Sequence, residues 1–154
     1  MADFSGCPGS RMQDFSSEVV QEEGKRGSHL QQWPVQLHLV SPQAPYYQGA
    51  DLLLSADCVA YSVGDFHKDY LQEKSLAIAC PKLDQGLESY VEKLTELIDI
   101  AKVNTITVMI MQVPCCTGLL QVAKQALADA KRQVPLKAVV VSIQGEILQE
   151  EWVS

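Results

Sequence analysis

No apolar run in the 154 residues approaches the roughly 18–20 residues that a membrane-spanning helix needs. Partnership with a membrane is therefore not expected. The opening residues, Met1-Ala2-Asp3-Phe4-Ser5, have no basic stretch leading into an apolar one, so no secretory signal is read there. Basic residues are scarce. Lys and Arg number 12 against 19 Asp and Glu, for a net charge of −7, and no basic block offers a phosphate backbone a footing. Nucleic acid is excluded as a partner, and a cytoplasmic location follows as the default. The loops that mark nucleotide and acyl-transfer chemistry are missing too. There is no GxGxxG, no GxxxxGK[ST] and no Gly-x-Ser-x-Gly elbow. The two CxxC pairs of a zinc ribbon and the CxxCxxC run of a ferredoxin are absent as well.

Apolar residues make up 47% of the chain and charged residues 20%, an ordinary balance for one domain with a real core. Residues 1–32 are polar and irregular, and include Gly6-Cys7-Pro8-Gly9. They read as an N-terminal arm, with the compact α/β domain spanning 33–154. Within the domain, Val35–Val40 alternates polar and apolar residues and reads as a strand. Tyr46–Leu54 reads as a short helix, and Cys58–Val63 as a second strand. Phe66–Gln72 reads as a short helix and Leu76–Cys80 as a third strand, stopped by Pro81. Leu87–Ala101 carries apolar residues at helical spacing. Thr105–Val113 is an apolar fourth strand, Thr117–Arg132 a second long helix, and Leu136–Ile143 a fifth strand. Strands apolar on both faces and separated by helices indicate a parallel sheet covered on both sides. The expected fold is a three-layer α/β domain, Rossmann-like or flavodoxin-like, with a mostly parallel sheet of about five strands.

Five cysteines, an odd number, in a chain long enough to need no staples read as ligands, catalysts or core fillers rather than structural disulfides. Cys115-Cys116 is the most informative pair. It stands between an apolar strand and a helix, where a helix N-terminus favours thiolate. Thiolate is both nucleophile and metal ligand. Core filling, a strained vicinal disulfide and metal ligation all remain open for the pair, with soft thiolates favouring iron–sulfur clusters or zinc. Sites in open parallel sheets form at the carboxyl ends of the strands. Cys80 and His67 are expected near the pair on that ground. Cys58, at the start of its expected strand, falls at the opposite edge. Cys7 sits in a glycine-rich turn able to reach the site from the arm. His67 and Asp65 read as a ligand or proton donor beside the site, or as a solvated helix start capped by Asp65. Lys82 and Asp84 read as serving a turn and helix cap. Thr117 and Gly118 offer backbone N–H groups to the sulfurs.

The phrases Gly6-Cys7-Pro8-Gly9-Ser10, Trp33-Pro34-Val35-Gln36-Leu37-His38, Ala56-Asp57-Cys58-Val59-Ala60, Gly64-Asp65-Phe66-His67, Ala79-Cys80-Pro81-Lys82-Leu83-Asp84 and Val113-Pro114-Cys115-Cys116-Thr117-Gly118 carry a resemblance. Together they resemble a family of anaerobe iron–sulfur-binding proteins, usually described as ferredoxins. Typical members begin with a ferredoxin domain holding two CxxCxxC runs, which this chain lacks. The resemblance therefore implies the C-terminal cysteine-rich module, with Cys7, Cys58, Cys80, Cys115 and Cys116 as cofactor ligands. It implies an iron–sulfur cluster, 4Fe–4S or atypical, an electron-transfer or redox role, and a redox partner protein; a homo-oligomer is compatible with it. Cys80 followed by the Cys-Cys pair is also similar to the first half of the CCG motif of heterodisulfide reductase-type proteins, although the downstream CxxC is missing. Two other functions fit the residues. One is a metal-free thiol-redox or cysteine-nucleophile enzyme with His67 as base. The other is an accessory subunit that docks a larger redox partner.

Overall fold

The structure is a computed structural model and describes residues 24–113 and 117–153. Its first strand is β1, Asp51–Ala56, where Leu52-Leu53-Leu54-Ser55-Ala56 is buried without a break. An unbroken apolar run is what a strand covered on both faces requires. Four more strands complete the sheet: β2 (Ser75–Ala79), β3 (Thr105–Met111), β4 (Leu136–Val141) and β5 (Ile147–Trp152). Their order is β2-β1-β3-β4-β5. The first four are parallel, and β5 runs antiparallel to β4 at the edge. This is the three-layer α/β arrangement that the sequence pattern indicates.

The connections are α1 (Val59–Ser62), a π-helix (Phe66–Leu71), α2 (Leu87–Asp99) and α3 (Thr117–Asp129). The β1–β2 connection crosses the sheet in one direction, and the next two cross in the other. Right-handed crossovers then put α1 and the π-helix on one face and α2 and α3 on the opposite face. Side-chain alternation agrees. Ser55, Leu76 and Ile78 line a cavity with Ala60, Phe66 and Leu71. On the other face α2 buries Tyr90, Leu94, Leu97 and Ile98, and α3 buries Leu119, Val122, Ala123 and Ala126.

Four local expectations need correction. Val35–Val40 is not a strand; it contributes one bridge, Gln36 to Ile78, and then turns away. The edge of β2 is closed by that backbone at Ile78, where the Leu37 N–H donates to the Ile78 carbonyl at 2.9 Å and the Ile78 N–H to the Val35 carbonyl at 2.8 Å, and by a side chain at Leu76. Gln32, buried, donates from Nε2 to the Leu76 carbonyl at 2.7 Å and accepts from the Leu76 N–H at 2.7 Å. Its amide thus pairs with β2 as a further backbone unit would. The stretch 46–54, read as a helix, is a 3₁₀ turn over Pro45–Tyr47 followed by β1. Cys58–Val63, read as a strand, is the turn into α1. The fifth strand of the sheet is β5, exposed at every residue, at the edge beside β4 and opposite the β2 edge that Gln36 bridges. Among the described residues, no helix is long and apolar enough to cross a membrane.

Candidate functional site at the carboxyl edge of the sheet

β2, β1 and β3 are neighbours and run the same way, so the segments that follow them meet at one edge. After β1, the N–H of Asp57 still donates to the Ala79 carbonyl of β2 at 3.1 Å. The next residue, Cys58, starts α1 and is exposed. The sequence reading put Cys58 at the amino end of a strand, the wrong edge for a site. That is corrected: the buried run before it, not the residues after it, is the strand, and Cys58 follows its carboxyl end.

Cys80 follows the carboxyl end of β2 and is half-buried. Its turn is closed by Asp84 from both sides. The Cys80 N–H donates to Asp84 Oδ2 at 2.9 Å, and the Asp84 N–H donates back to the Cys80 carbonyl at 2.8 Å. The same carboxylate oxygen accepts from Gln36 Nε2 at 3.1 Å and from the Tyr90 hydroxyl. Three donors on one oxygen fix the turn and hold Cys80 against the sheet. Burial, then the bond to Asp84, pushes the Tyr90 phenol well above its ordinary pKa. His38 stacks on the Tyr90 ring with centroids 4.1 Å apart, which buttresses the phenol. Asp84 thus serves the turn, as expected; the residue that begins α2 is Gly86.

After β3 come Cys115 and Cys116, which lie outside the described residues, as does Cys7. The first residues of α3 are described. A β-carbon placed on Gly118 would lie 3.3 Å from Cβ of Pro81, so the start of α3 packs directly on the residue after Cys80. The turn after β2 and the start of α3 thus meet at Pro81 and Gly118.

Asp57 was not singled out in the sequence, yet its Oδ1 is buried with no hydrogen-bond partner among the described residues. Burial raises its pKa, and the nearby Asp84 charge adds to the rise. The signal that marks it is its place directly after a buried strand and directly before a cysteine. His67 and Asp65 are engaged by the segment preceding the sheet. His67 Nδ1 accepts from the His29 N–H at 3.0 Å, and Asp65 pairs with the Arg26 guanidinium. Asp65 stands at the start of the π-helix but makes no side-chain cap. Among the described residues, no group of three or more His, Cys, Asp or Glu side chains is arranged to hold a metal ion.

The model of one protein family, the Rossmann-like domain, matches residues 44–154. An uncharacterized protein of Archaeoglobus fulgidus is 28% identical over 120 residues, covering 77% of this chain and 82% of its own. No solved structure matches. The resemblance to anaerobe iron–sulfur proteins is corrected by these comparisons, which name a Rossmann-like domain and no ferredoxin or iron–sulfur family. The phrases behind that resemblance encode strand ends and turns. Ala56-Asp57-Cys58 closes β1, and Ala79-Cys80-Pro81 closes β2.

Proposed function

The chain belongs to the Rossmann-like domain family, and from that premise we propose that it holds an iron–sulfur cluster on cysteine thiolates at the carboxyl edge of its sheet, with an electron-transfer or redox role. One observation carries the reading. The three adjacent strands β2, β1 and β3 are followed by Cys80, by Cys58 and by the Cys115-Cys116 pair, with Pro81 touching the start of α3. On this reading four thiols from segments distant in sequence would share the edge where open parallel sheets carry their ligands.

The donor chemistry fits the group. Four cysteine sulfurs are what a cubane cluster takes, and soft thiolates favour iron–sulfur over hard cations. Cys7 of the arm is a fifth thiol, either spare or a replacement for one of the four. A bound cluster would supply a one-electron carrier. The protein's own residues do the rest. Asp84 fixes the Cys80 turn, and Gly118 lets α3 close on Pro81. The first N–H groups of α3, unpaired within the helix, favour negative charge on sulfur.

A cluster that passes electrons needs a redox partner, and the net charge of −7 suits a partner with a basic docking face. Thiolates and a cluster both fit a reducing compartment, the cytoplasm. A metal-free thiol-redox enzyme rests on the same helix start, and elemental analysis separates the two. Protein made and purified without oxygen is expected to be coloured and to contain iron and acid-labile sulfide. Colourless, iron-free protein with titratable thiols would replace the cluster with thiol chemistry.

A further inference from the structure

A cavity of about 190 Å³ lies on the α1 face of the sheet, beside the thiol-bearing edge. Leu30, Val35, Phe66, Leu71, Leu76 and Ile78 give it an apolar wall. An apolar cavity of about 150 Å³ is large enough for benzene, so this one has room for a six-membered ring with one small substituent. Ser28, Ser55, Asp57 and His67 interrupt the wall; Ser28 Oγ accepts the Leu30 N–H at 3.1 Å, and Asp57 and His67 are the two with ionisable side chains. They differ in what they offer.

His67 Nδ1 already accepts the His29 N–H at 3.0 Å. In the neutral ring the proton therefore sits on Nε2, which is left as a donor. Asp57 supplies the opposite function, since its Oδ1 is buried without a partner among the described residues. An unpaired buried carboxylate oxygen costs free energy that a ligand N–H would recover. Ser55, also on the wall, is already satisfied, because its hydroxyl donates to the Ala56 carbonyl at 3.0 Å.

We propose that the cavity binds a small uncharged molecule with a flat apolar body and a carboxamide or lactam head, its carbonyl accepting from His67 Nε2 and its N–H donating to Asp57. An anionic head would meet the Asp57 carboxylate. A cationic head would lose its hydration in an apolar chamber whose second polar group is a donor. The apolar wall takes the body of the molecule, and the exposed ring of Tyr61, also on the lining, stands at the rim. This site is independent of the cysteine thiolates, so it stands or falls separately from the cluster.

The test titrates the full chain with three isosteric probes, benzamide, benzoate and benzamidine, by calorimetry or ligand-observed magnetic resonance. Benzamide is expected to bind saturably and more tightly than either charged probe. His67→Phe keeps a ring and removes the donor, and should weaken benzamide about tenfold, the equivalent of one hydrogen bond. Ala60→Trp adds bulk at an exposed position of α1 that borders the cavity, and should abolish binding without disturbing the core. Gln125→Ala, at an exposed position of α3 on the opposite face of the sheet, should leave benzamide affinity unchanged. Benzoate or benzamidine binding as tightly as benzamide, or benzamide binding that survives Ala60→Trp, would overturn the proposal. Should His67→Phe fail to fold, Ala60→Trp decides alone.

Discussion

Gly118 packs on Pro81 so closely that a β-carbon on the glycine would come within 3.3 Å of the proline's Cβ. This contact joins the start of α3 to the turn after β2. Gly118→Ala is expected to be tolerated, because the tight contact is offset by about 1 kcal/mol of helix propensity. Gly118→Val adds two γ-carbons with no room beside Pro81. It should cost about 1–2 kcal/mol and reduce iron bound per chain by moving α3 away from Cys80. Urea denaturation and iron analysis check both variants; a valine variant that loads like the wild type would break the link between this contact and the site.

Asp84 accepts from the Cys80 N–H, Gln36 and Tyr90 through one carboxylate oxygen. Asp84→Ala strands the Cys80 N–H and the hydroxyl of a buried tyrosine, and leaves Gln36 Nε2 only the Tyr90 oxygen at 3.0 Å. The expected loss is about 2–3 kcal/mol, seen as a lower urea midpoint at unchanged m-value. Asp84→Asn keeps an acceptor and should recover part of it. Equal stability of the alanine variant and the wild type would mean that water replaces the clasp.

Gly145 holds φ at +88°, and a β-carbon there would stand 2.0 Å from the Ser62 carbonyl oxygen. The β4–β5 hairpin thus lies against the end of α1 at the backbones of Gly145 and Ser62. Both the backbone angle and the clash oppose a side chain. Gly145→Ala is expected to destabilise by about 2–3 kcal/mol, measurable by thermal or urea unfolding. A loss no larger than that of an ordinary surface substitution would show that the hairpin is free to shift.

Glu150 on β5 lies 2.7 Å from Lys137 Nζ and accepts from the Tyr70 hydroxyl at 3.0 Å. The Lys137 bond lowers the Glu150 pKa below its ordinary value. A lowered folded-state pKa gives stability that is present above the ordinary glutamate range and is lost as pH falls through the folded value. Because the pair is partly exposed, Glu150→Gln should cost only about 0.5 kcal/mol near neutral pH, and the difference should vanish in acid. Burial first, then Glu150, pushes Tyr70 up to about 12. The same substitution should bring it part of the way back, as read by ultraviolet titration. A Tyr70 titration unchanged in the variant would remove Glu150 as a cause.

The parts of the fold that the sequence reading found are those where periodicity and burial coincide. Leu76–Cys80, Leu87–Ala101, Thr105–Val113 and Leu136–Ile143 each sit on an observed strand or helix. The misreadings have physical causes. Leu52-Leu53-Leu54 is apolar on every residue, a pattern that a buried strand and a buried helix share. Val59–Ser62 looks extended from its Val and Tyr, yet a single helical turn suits the crowded edge after β1. β5 is polar and exposed, so no alternation marks it, and its pairing with β4 is a tertiary fact. The approach of Pro81 to Gly118 was readable because strand ends can be located from composition. Cys58 was put at the wrong edge because its strand was displaced. The Gln32 clasp, the Asp84 clasp and the Asp57 orphan oxygen were invisible, since each depends on partners brought close only by the fold.

Iron and acid-labile sulfide per chain, measured on anaerobically reconstituted wild type beside Cys80→Ser and Cys116→Ser, test the thiolate site most directly. Bound iron and sulfide in the wild type, lost in both variants while each stays folded, is the expected result. Full occupancy in both variants, or none in the wild type, would show that the carboxyl edge of this sheet does not hold the cluster.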